Sequence, residues 1–508
     1  MRKRLADKVF NRVFVVAVLV LFQLSWICTI LLGILQTSPL LGVALSILGA
    51  MLGMHIVRRE GNPTYTIAWV FLIGLMPVFG GLMYLFFGNK RPSKTMHKHI
   101  DAQQALHLDV LTQQEGVIDD LPVRLRATCA YIKNYGPYPA WKNTQVKYFP
   151  LGEKMFAQML ADLRNAEHFI FIEFFIIAEG QMWQQIFDVL KDKASQGVDV
   201  RVIYDDFGSA SKLPRKFVVQ LETNGIHCLP FNPLVPIISL VMNHRDHRKI
   251  LVIDGATAYS GGINIADEYI NQKTRFGHWK DTGLRMEGAA VWNFTVMFLN
   301  LWNAFRKTDG DYEIFRPKAE CLHNIADDGI VQPYSDSPLD DEPLAGIVYL
   351  ELIAQAIKTV YIFTPYLIID HEMIQALRNA AKRGVDVRIV TPGIPDKKLI
   401  FKLTRSYYAP LIEAGVKIYE YTPGFIHAKS FLCDGKVAVV GSINMDYRSL
   451  YLNFECGTLL VNNSQIAEIA NDYANVFEKS RMITHADCHD GVVGQFVEDV
   501  LRVLSPLL

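Results

Sequence analysis

The sequence predicts an α/β protein of two similar halves packed face to face, preceded by an N-terminal transmembrane helical region. Three observations predict it. A β-branched stretch, Gly197-Val198-Asp199-Val200-Arg201-Val202-Ile203, recurs as Gly384-Val385-Asp386-Val387-Arg388-Ile389-Val390. A second, polar motif is repeated further along each half. The first ninety residues carry three long apolar runs.

Residues 1–90 are expected to be the membrane anchor. Val13 to Leu35 is almost wholly apolar and follows Arg2, Lys3, Arg4, Lys8 and Arg12. At about 1.5 Å per residue it can cross a hydrocarbon core about 30 Å thick. A second run, Pro39 to Val57, follows an uncharged turn and ends at Arg58-Arg59. Basic residues mark the cytoplasmic side, so both ends of this pair are placed there. The third run, Tyr65 to Phe87, contains Gly74, Pro77, Gly80 and Gly81, with basic residues on both flanks. It reads either as a re-entrant or interfacial hairpin, which keeps the rest of the chain cytoplasmic, or as a third span, which puts it outside; the flanks favour the first.

Residues 91–140 form a connecting segment, 141–306 the first half, 307–342 a linker and 343–508 the second half. In each half a strand is expected (Phe169 to Ile177; Val360 to Leu367), then a helix (Trp183 to Gln196; Glu372 to Arg383), then the Gly-led strand above. That order predicts βαβ units and a largely parallel sheet.

The chemical motif follows. The first copy is His247-x-Lys249-x4-Asp254, then Gly261-Gly262-x-Asn264. The second is His427-x-Lys429-x4-Asp434, then Gly441-Ser442-x-Asn444. Matched residues lie 180 positions apart throughout. One such match is weak; two with identical spacing are not. In a strand, His and Lys at i and i+2 share a face. Asp254-Gly255 and Asp434-Gly435 read as tight turns that bring a second strand, with its Asn, back to the pair. Two lysines offer fixed positive charge to a phosphodiester. Asn264, Asn444 and Ser442 offer hydrogen bonds, and two histidines offer a nucleophile and a proton carrier.

Composition narrows the class. Lys+Arg and Asp+Glu are both 51, so the net charge is zero, which argues against a dedicated nucleic-acid binder. The seven cysteines form no metal-ligand spacing and read as reduced, buried thiols. No metal and no cofactor is expected.

From Trp141 to Leu508 the chain resembles the phospholipase D superfamily, whose signature is the duplicated HKD motif. Within it the chain is similar to bacterial cardiolipin synthases, through Trp69 to Gly88, Thr364-Pro365-Tyr366, Asn444-Met445-Asp446-Tyr447-Arg448-Ser449 and the ending Arg502 to Leu508. It departs from them in its extra apolar run and in Gly262, where the family usually has Ser. The resemblance implies a multi-pass enzyme of the bacterial plasma membrane. It would move a phosphatidyl group between two phosphatidylglycerol molecules through a phosphohistidine, releasing glycerol. Family precedent makes His247 the nucleophile and His427 the acid/base, with Glu455 and Asp281 orienting the histidines. Asp254 and Asp434, though part of the motif, are expected to be structural turn residues. Hydrolysis or head-group exchange, as in a phospholipase D or a phosphatidylserine synthase, is the alternative. An apolar insertion, Pro233 to Met242, distinguishes the first half and reads equally as core or as a lipid-facing lip.

Overall fold

Each half folds its β-rich segments into one sheet, and the two sheets share a strand order. The computed structural model describes residues 39–59, 62–88, 94–233, 244–317, 325–340, 342–488 and 491–507, with isolated positions between 21 and 33. The first half contributes β1 (Thr144–Phe149), β2 (Phe169–Phe174), β3 (Asp199–Asp205), β4 (Ile226–Phe231), β5 (Arg245–Asp246), β6 (Lys249–Ile253), β7 (Thr257–Gly261), β8 (His278–Lys280) and β9 (Gly283–Gly288). The second contributes β10 (Ile330–Asp336), β11 (Thr359–Phe363), β12 (Leu367–Ile368), β13 (Asp386–Pro392), β14 (Lys417–Tyr421), β15 (Gly424–Ile426), β16 (Ser430–Cys433), β17 (Val437–Gly441), β18 (Met445–Asp446), β19 (Asn453–Val461) and β20 (Ser480–Ile483).

The first sheet runs β1-β9-β7-β6-β2-β3-β4 and the second β10-β19-β17-β16-β11-β13-β14-β20. The expected helices between β2 and β3 and between β11 and β13 are Gln181–Ser195 and His371–Lys382. The largely parallel sheet is corrected. Only β2-β3-β4 and β11-β13-β14 run parallel; the other main strands of each sheet pair antiparallel. The reason is the Asp-Gly turn. Asp254, Gly255, Asp434 and Gly435 all have positive φ, and they start three-residue hairpin loops, 254–256 and 434–436, that join Ile253 to its partner Thr257 and Cys433 to its partner Val437. The linker is corrected too: Ile330–Asp336 lies within 307–342 and pairs as an edge strand with β19.

Strand alternation divides the core. In β6, Ile250 and Val252 join the large cluster shared with the second half, while Leu251 and Ile253 pack under the first half's own helices. Two short crossovers tie the halves together. β5 adds in parallel to β19 of the second half, and β8 pairs in parallel with β15.

At the N-terminus, α1 (Pro39–Val57), α2 (Pro63–Leu75) and α3 (Pro77–Phe87) pack together. Among the described residues no helix is long and apolar enough to cross a membrane. The first expected span falls almost entirely outside them. The second is α1, whose 19 residues extend about 28 Å. The third run is broken at Met76, before Pro77. The Trp69 and Tyr84 rings meet at 5.4 Å, and Tyr65 Oη donates to Gly88 O at 3.3 Å, so α2 and α3 form a hairpin. Gly80 permits the turn: a Cβ there would sit 2.6 Å from Leu72 O. Asn62, which caps α2, also donates to Asp370 of the second half at 2.9 Å.

The apolar insertion lies outside the described residues apart from Pro233. Cys129, Cys228, Cys433, Cys456 and Cys488 are free thiols, and all but Cys488 are buried.

Candidate active site

Both His-x-Lys motifs sit where the chain leaves one half's pairing and enters its own sheet. β5 ends at Asp246, β6 begins at Lys249, and His247 lies in the break. β15 ends at Ile426, β16 begins at Ser430, and His427 and Lys429 lie between them. The expected regular strand through His and Lys is therefore corrected to a bridge. Its anchors come from the opposite half: His247 N–H donates to Phe454 O at 2.9 Å, and His427 N–H donates to Lys280 O at 2.7 Å.

The side chains are crossed in the same way. His247 Nδ1 lies 2.8 Å from Glu455 Oε1, and His427 Nδ1 lies 2.6 Å from Asp281 Oδ2. Each histidine of one half is thus held by a carboxylate of the other. A carboxylate at Nδ1 fixes the proton there and leaves Nε2 with its lone pair. Lys249 Nζ donates to His247 O, and Lys429 Nζ to His427 O. Lys249 and Lys429 each act electrostatically on both histidines, which places two imidazoles and two ammonium groups in one site.

Burial dominates the electrostatics. It lowers His427 to about 3, with Lys429 adding to the effect, and takes His247 well below its ordinary value, with Lys249, Lys429 and Arg448 adding. Burial also brings Lys249 to about 8 and Lys429 to about 7. It raises Glu455 to about 7 against the pull of Lys249. Burial alone would raise Asp281, but His427, Lys429 and the Thr282 N–H outweigh it and hold this carboxylate below the usual range. Burial thus makes it costly for either lysine to keep its charge, a cost that an anionic phosphodiester beside them lowers.

The remaining sequence-predicted residues divide. Asp254 accepts from the backbone N–H groups of Glu167, His168 and Phe169, and Asp434 from those of Ile357, Lys358 and Thr359. Both are clamps at the far end of the hairpin, away from the histidines. Ser442, expected on substrate phosphate, is fully buried and donates to Glu455. Asn264, expected there too, accepts from Ile176 N–H at 3.0 Å and donates to Tyr269 Oη at 2.7 Å. Asn444 is buried with its Oδ1 unpaired. Gly262 takes the place of Ser442 in the first half. A Cβ there would overlap Asp281 Oδ1 and lie 3.0 Å from Asp281 Cγ, so the missing hydroxyl makes room for the carboxylate.

Several further residues, to which the sequence assigned no role, surround the site. Ser449 Oγ donates to Glu455 Oε1 at 2.6 Å. Tyr269 and Trp279 wall His427, with ring centroids at 5.2 and 5.5 Å, and Phe175 walls His247 at 4.8 Å. Lys280, just before Asp281, is pinned to Asp472 at 2.7 Å. Arg448 adds positive charge beside His247. Only Ser449 and Arg448 were within reach of sequence reasoning, because they follow Asn444 in the second motif. Among the described residues no cluster of His, Cys, Asp and Glu could hold a metal ion.

Comparison with known proteins agrees with this geometry. Residues 159–275 and 349–481 match the family model described as cardiolipin synthase, PLD-like domain, and residues 44–89 match a phospholipase D-nuclease N-terminal model. The chain is 34% identical to a cardiolipin synthase of Halalkalibacterium halodurans over 92% of this chain and 93% of that one. It is 34% identical to cardiolipin synthase 2 of Bacillus cereus over 90% of each. A Streptococcus mutans protein of unassigned activity is 42% identical over 90% of this chain and 99% of its own length. The crystal structure of a Haemophilus influenzae phosphatidylserine synthase shares the fold, with a TM-score of 0.55 at 16% identity over 75% of this chain and 97% of that one.

Proposed function

This chain belongs to the cardiolipin synthase family of phospholipase D-like proteins, and from that premise we propose that it transfers a phosphatidyl group from one phosphatidylglycerol to another, making cardiolipin and releasing glycerol. The observation that carries the reading is the crossed pair of histidines, each fixed at Nδ1 by the other half's carboxylate beside a buried lysine.

The donor's phosphate sits between Lys249 and Lys429. Its charge opposes their loss of protons and favours the imidazolium form of His427. His247 Nε2 attacks phosphorus, the bond from phosphorus to the glycerol oxygen breaks, and His427 gives that oxygen its proton. A hydroxyl of a second phosphatidylglycerol then enters. His427 takes its proton, the new P–O bond forms, the P–N bond breaks, and His247 is regenerated. Glu455 and Asp281 hold the rings and stabilise the positive charge that each passes through. We place the enzyme in the bacterial cell membrane as a multi-pass protein with its catalytic halves on the cytoplasmic face, a reading supported by the basic flanks of the apolar runs and by the exposed apolar residues Val43, Ile47, Met51, Ile67, Phe71 and Leu85.

The test is product analysis with the purified full-length enzyme in vesicles of phosphatidylglycerol alone. Equimolar cardiolipin and glycerol are expected; phosphatidic acid as the main product overturns the transfer reading. His247→Ala and His427→Ala should each lose turnover almost completely, and substantial activity in either contradicts a two-histidine reaction.

A further inference from the structure

Besides Gly262 and Ser442, the duplicated halves diverge at a second place beside the catalytic histidines. In the second half, Asn444 is followed four and five residues later by Arg448 and Ser449. The equivalent positions in the first half are Glu268 and Tyr269. Tyr269 stands against the ring of His427, and Glu268 is the buried centre of a cationic group. Arg275 pairs with Glu268 at 3.1 Å while staying half exposed. Lys212 Nζ donates to Gly208 O at 3.0 Å and is acted on by Glu268, Arg275 and Lys397 together. Lys397 lies over the Tyr366 ring at 5.8 Å, and Tyr366 Oη donates to Asp396 at 2.7 Å.

Lys212 and Arg275 belong to the first half and Lys397 to the second, and backbone links tie the loops of Arg275 and Lys397 to the segment that leads into His427. The loop after β13 hangs on Gly424, whose carbonyl accepts from Gly393 N–H at 3.2 Å and Ile394 N–H at 3.1 Å. Gly277, just beyond Arg275, bridges to the same Gly424. Gly424 begins β15, which ends one residue before His427. Among the charged groups linked here, Lys212, Arg275 and Lys397 stand against two carboxylates, Glu268 and Asp396. Burial brings Lys212 to about 8, and the neighbouring cations Arg275 and Lys397 reinforce that fall while Glu268 opposes it, so an arriving anion would favour its charged form.

From this placement we infer that Lys212, Arg275 and Lys397 form the recognition site for the phosphate of the acceptor lipid. The inference rests on the phosphatidyl-transfer reading with His427 as the acid/base. In that reading the acceptor's hydroxyl must reach His427, and its own phosphate lies one glycerol length outward, on the His427 side. Water and simple alcohols carry no such phosphate. The rim therefore selects a phosphate-bearing acceptor over water once the phosphohistidine has formed, while Lys249 and Lys429 hold the phosphate that reacts.

The test is a partition experiment, because all three products arise from one intermediate and donor binding cancels in their ratios. The full-length enzyme acts on phosphatidylglycerol vesicles in the presence of ethanol, and cardiolipin, phosphatidylethanol and phosphatidic acid are quantified. For the double variant K212A/K397A the ratio of cardiolipin to the other two products should fall about tenfold, as expected when charge-assisted contacts to a phosphate are lost. The variant K212R/K397R should restore much of it, and added salt should lower the wild-type ratio because the rim is partly exposed. An unchanged ratio in K212A/K397A, with or without a fall in total turnover, overturns the inference. Wild-type enzyme that makes no cardiolipin at all overturns the underlying reading instead.

Discussion

Gly262→Ala isolates the contribution of one oriented carboxylate. Gly262 has no left-handed φ, so alanine suits its backbone and the effect is purely steric. The added Cβ overlaps Asp281 Oδ1, 3.0 Å from Cγ, in a position with no exposure to yield into. Asp281 must rotate, which strains its 2.6 Å contact with His427 Nδ1 and the 2.8 Å bond from Thr282 N–H. Losing one hydrogen bond to a charged group costs about 1.5–3 kcal/mol, or roughly tenfold to 150-fold in rate if it is felt at the transition state. The expected result is a kcat reduced by that factor with KM for phosphatidylglycerol nearly unchanged. Gly262→Ser should do no better despite restoring the family's usual residue, because its Cβ meets the same oxygen. The assay is steady-state cardiolipin formation in mixed micelles, with Tm measured alongside. A Gly262→Ala enzyme within twofold of wild type, at unchanged Tm, would refute both the steric reasoning and the role given to Asp281.

Asp434→Ala removes an acceptor from three backbone N–H groups remote from the histidines, so it should lower stability by about 1–3 kcal/mol, read as a drop in Tm, while kcat per folded molecule is retained; a selective loss of kcat would return this residue to the chemistry. The pH profile of kcat/KM should be narrow and bell-shaped: activity falls below about 7 as Glu455 gains a proton and stops accepting from His247, and falls above about 7 to 8 as Lys429 and then Lys249 lose theirs. Lys429 is depressed from its unfolded value of 10.5, so its buried charge costs stability that is regained as pH rises from about 7 toward 10.5; Lys429→Met should therefore abolish turnover yet leave Tm at neutral pH unchanged or higher, and a large fall in Tm would contradict the sign. Gly80→Leu forces a side chain against the Leu72 carbonyl and the Ile73 backbone, at 2.6 and 2.8 Å, and should open the α2–α3 hairpin, seen as easier proteolysis between residues 62 and 88 in membranes; unchanged cleavage would count against the tight turn.

The repeat was legible because duplication writes itself twice. Equal spacing of His, Lys, Asp and Asn located both motifs, and the Asp-Gly pairs named their turns, which the positive φ of all four residues bears out. The parallel-sheet expectation failed at those same turns, since so tight a hairpin can only return antiparallel, and the βαβ signal covers just three strands of each half. The phosphate-binding roles given to Asn264 and Ser442 came from residue type alone. Sequence does not say which hydrogen bonds a polar group already makes inside the protein; here Tyr269 and the Ile176 amide take part of Asn264's capacity, and Glu455 takes the Ser442 hydroxyl proton.

The least legible feature is the crossing itself. Within each half the spacing from histidine to carboxylate suggests a local partnership, His247 with Asp281 and His427 with Glu455. The chain refuses it because β5 and β8 leave the first sheet to pair with β19 and β15 of the second. Those pairings deliver Glu455 to His247 and Asp281 to His427, and they supply the carbonyls that anchor both histidine amides. A half separated from its partner would lose its imidazole's tautomer, its backbone anchor and the second lysine at once. The same β-pairings that bury the sheets against each other therefore assemble the chemistry, and any disturbance that loosens the interface by a fraction of a hydrogen-bond length must be felt at both histidines together rather than at one.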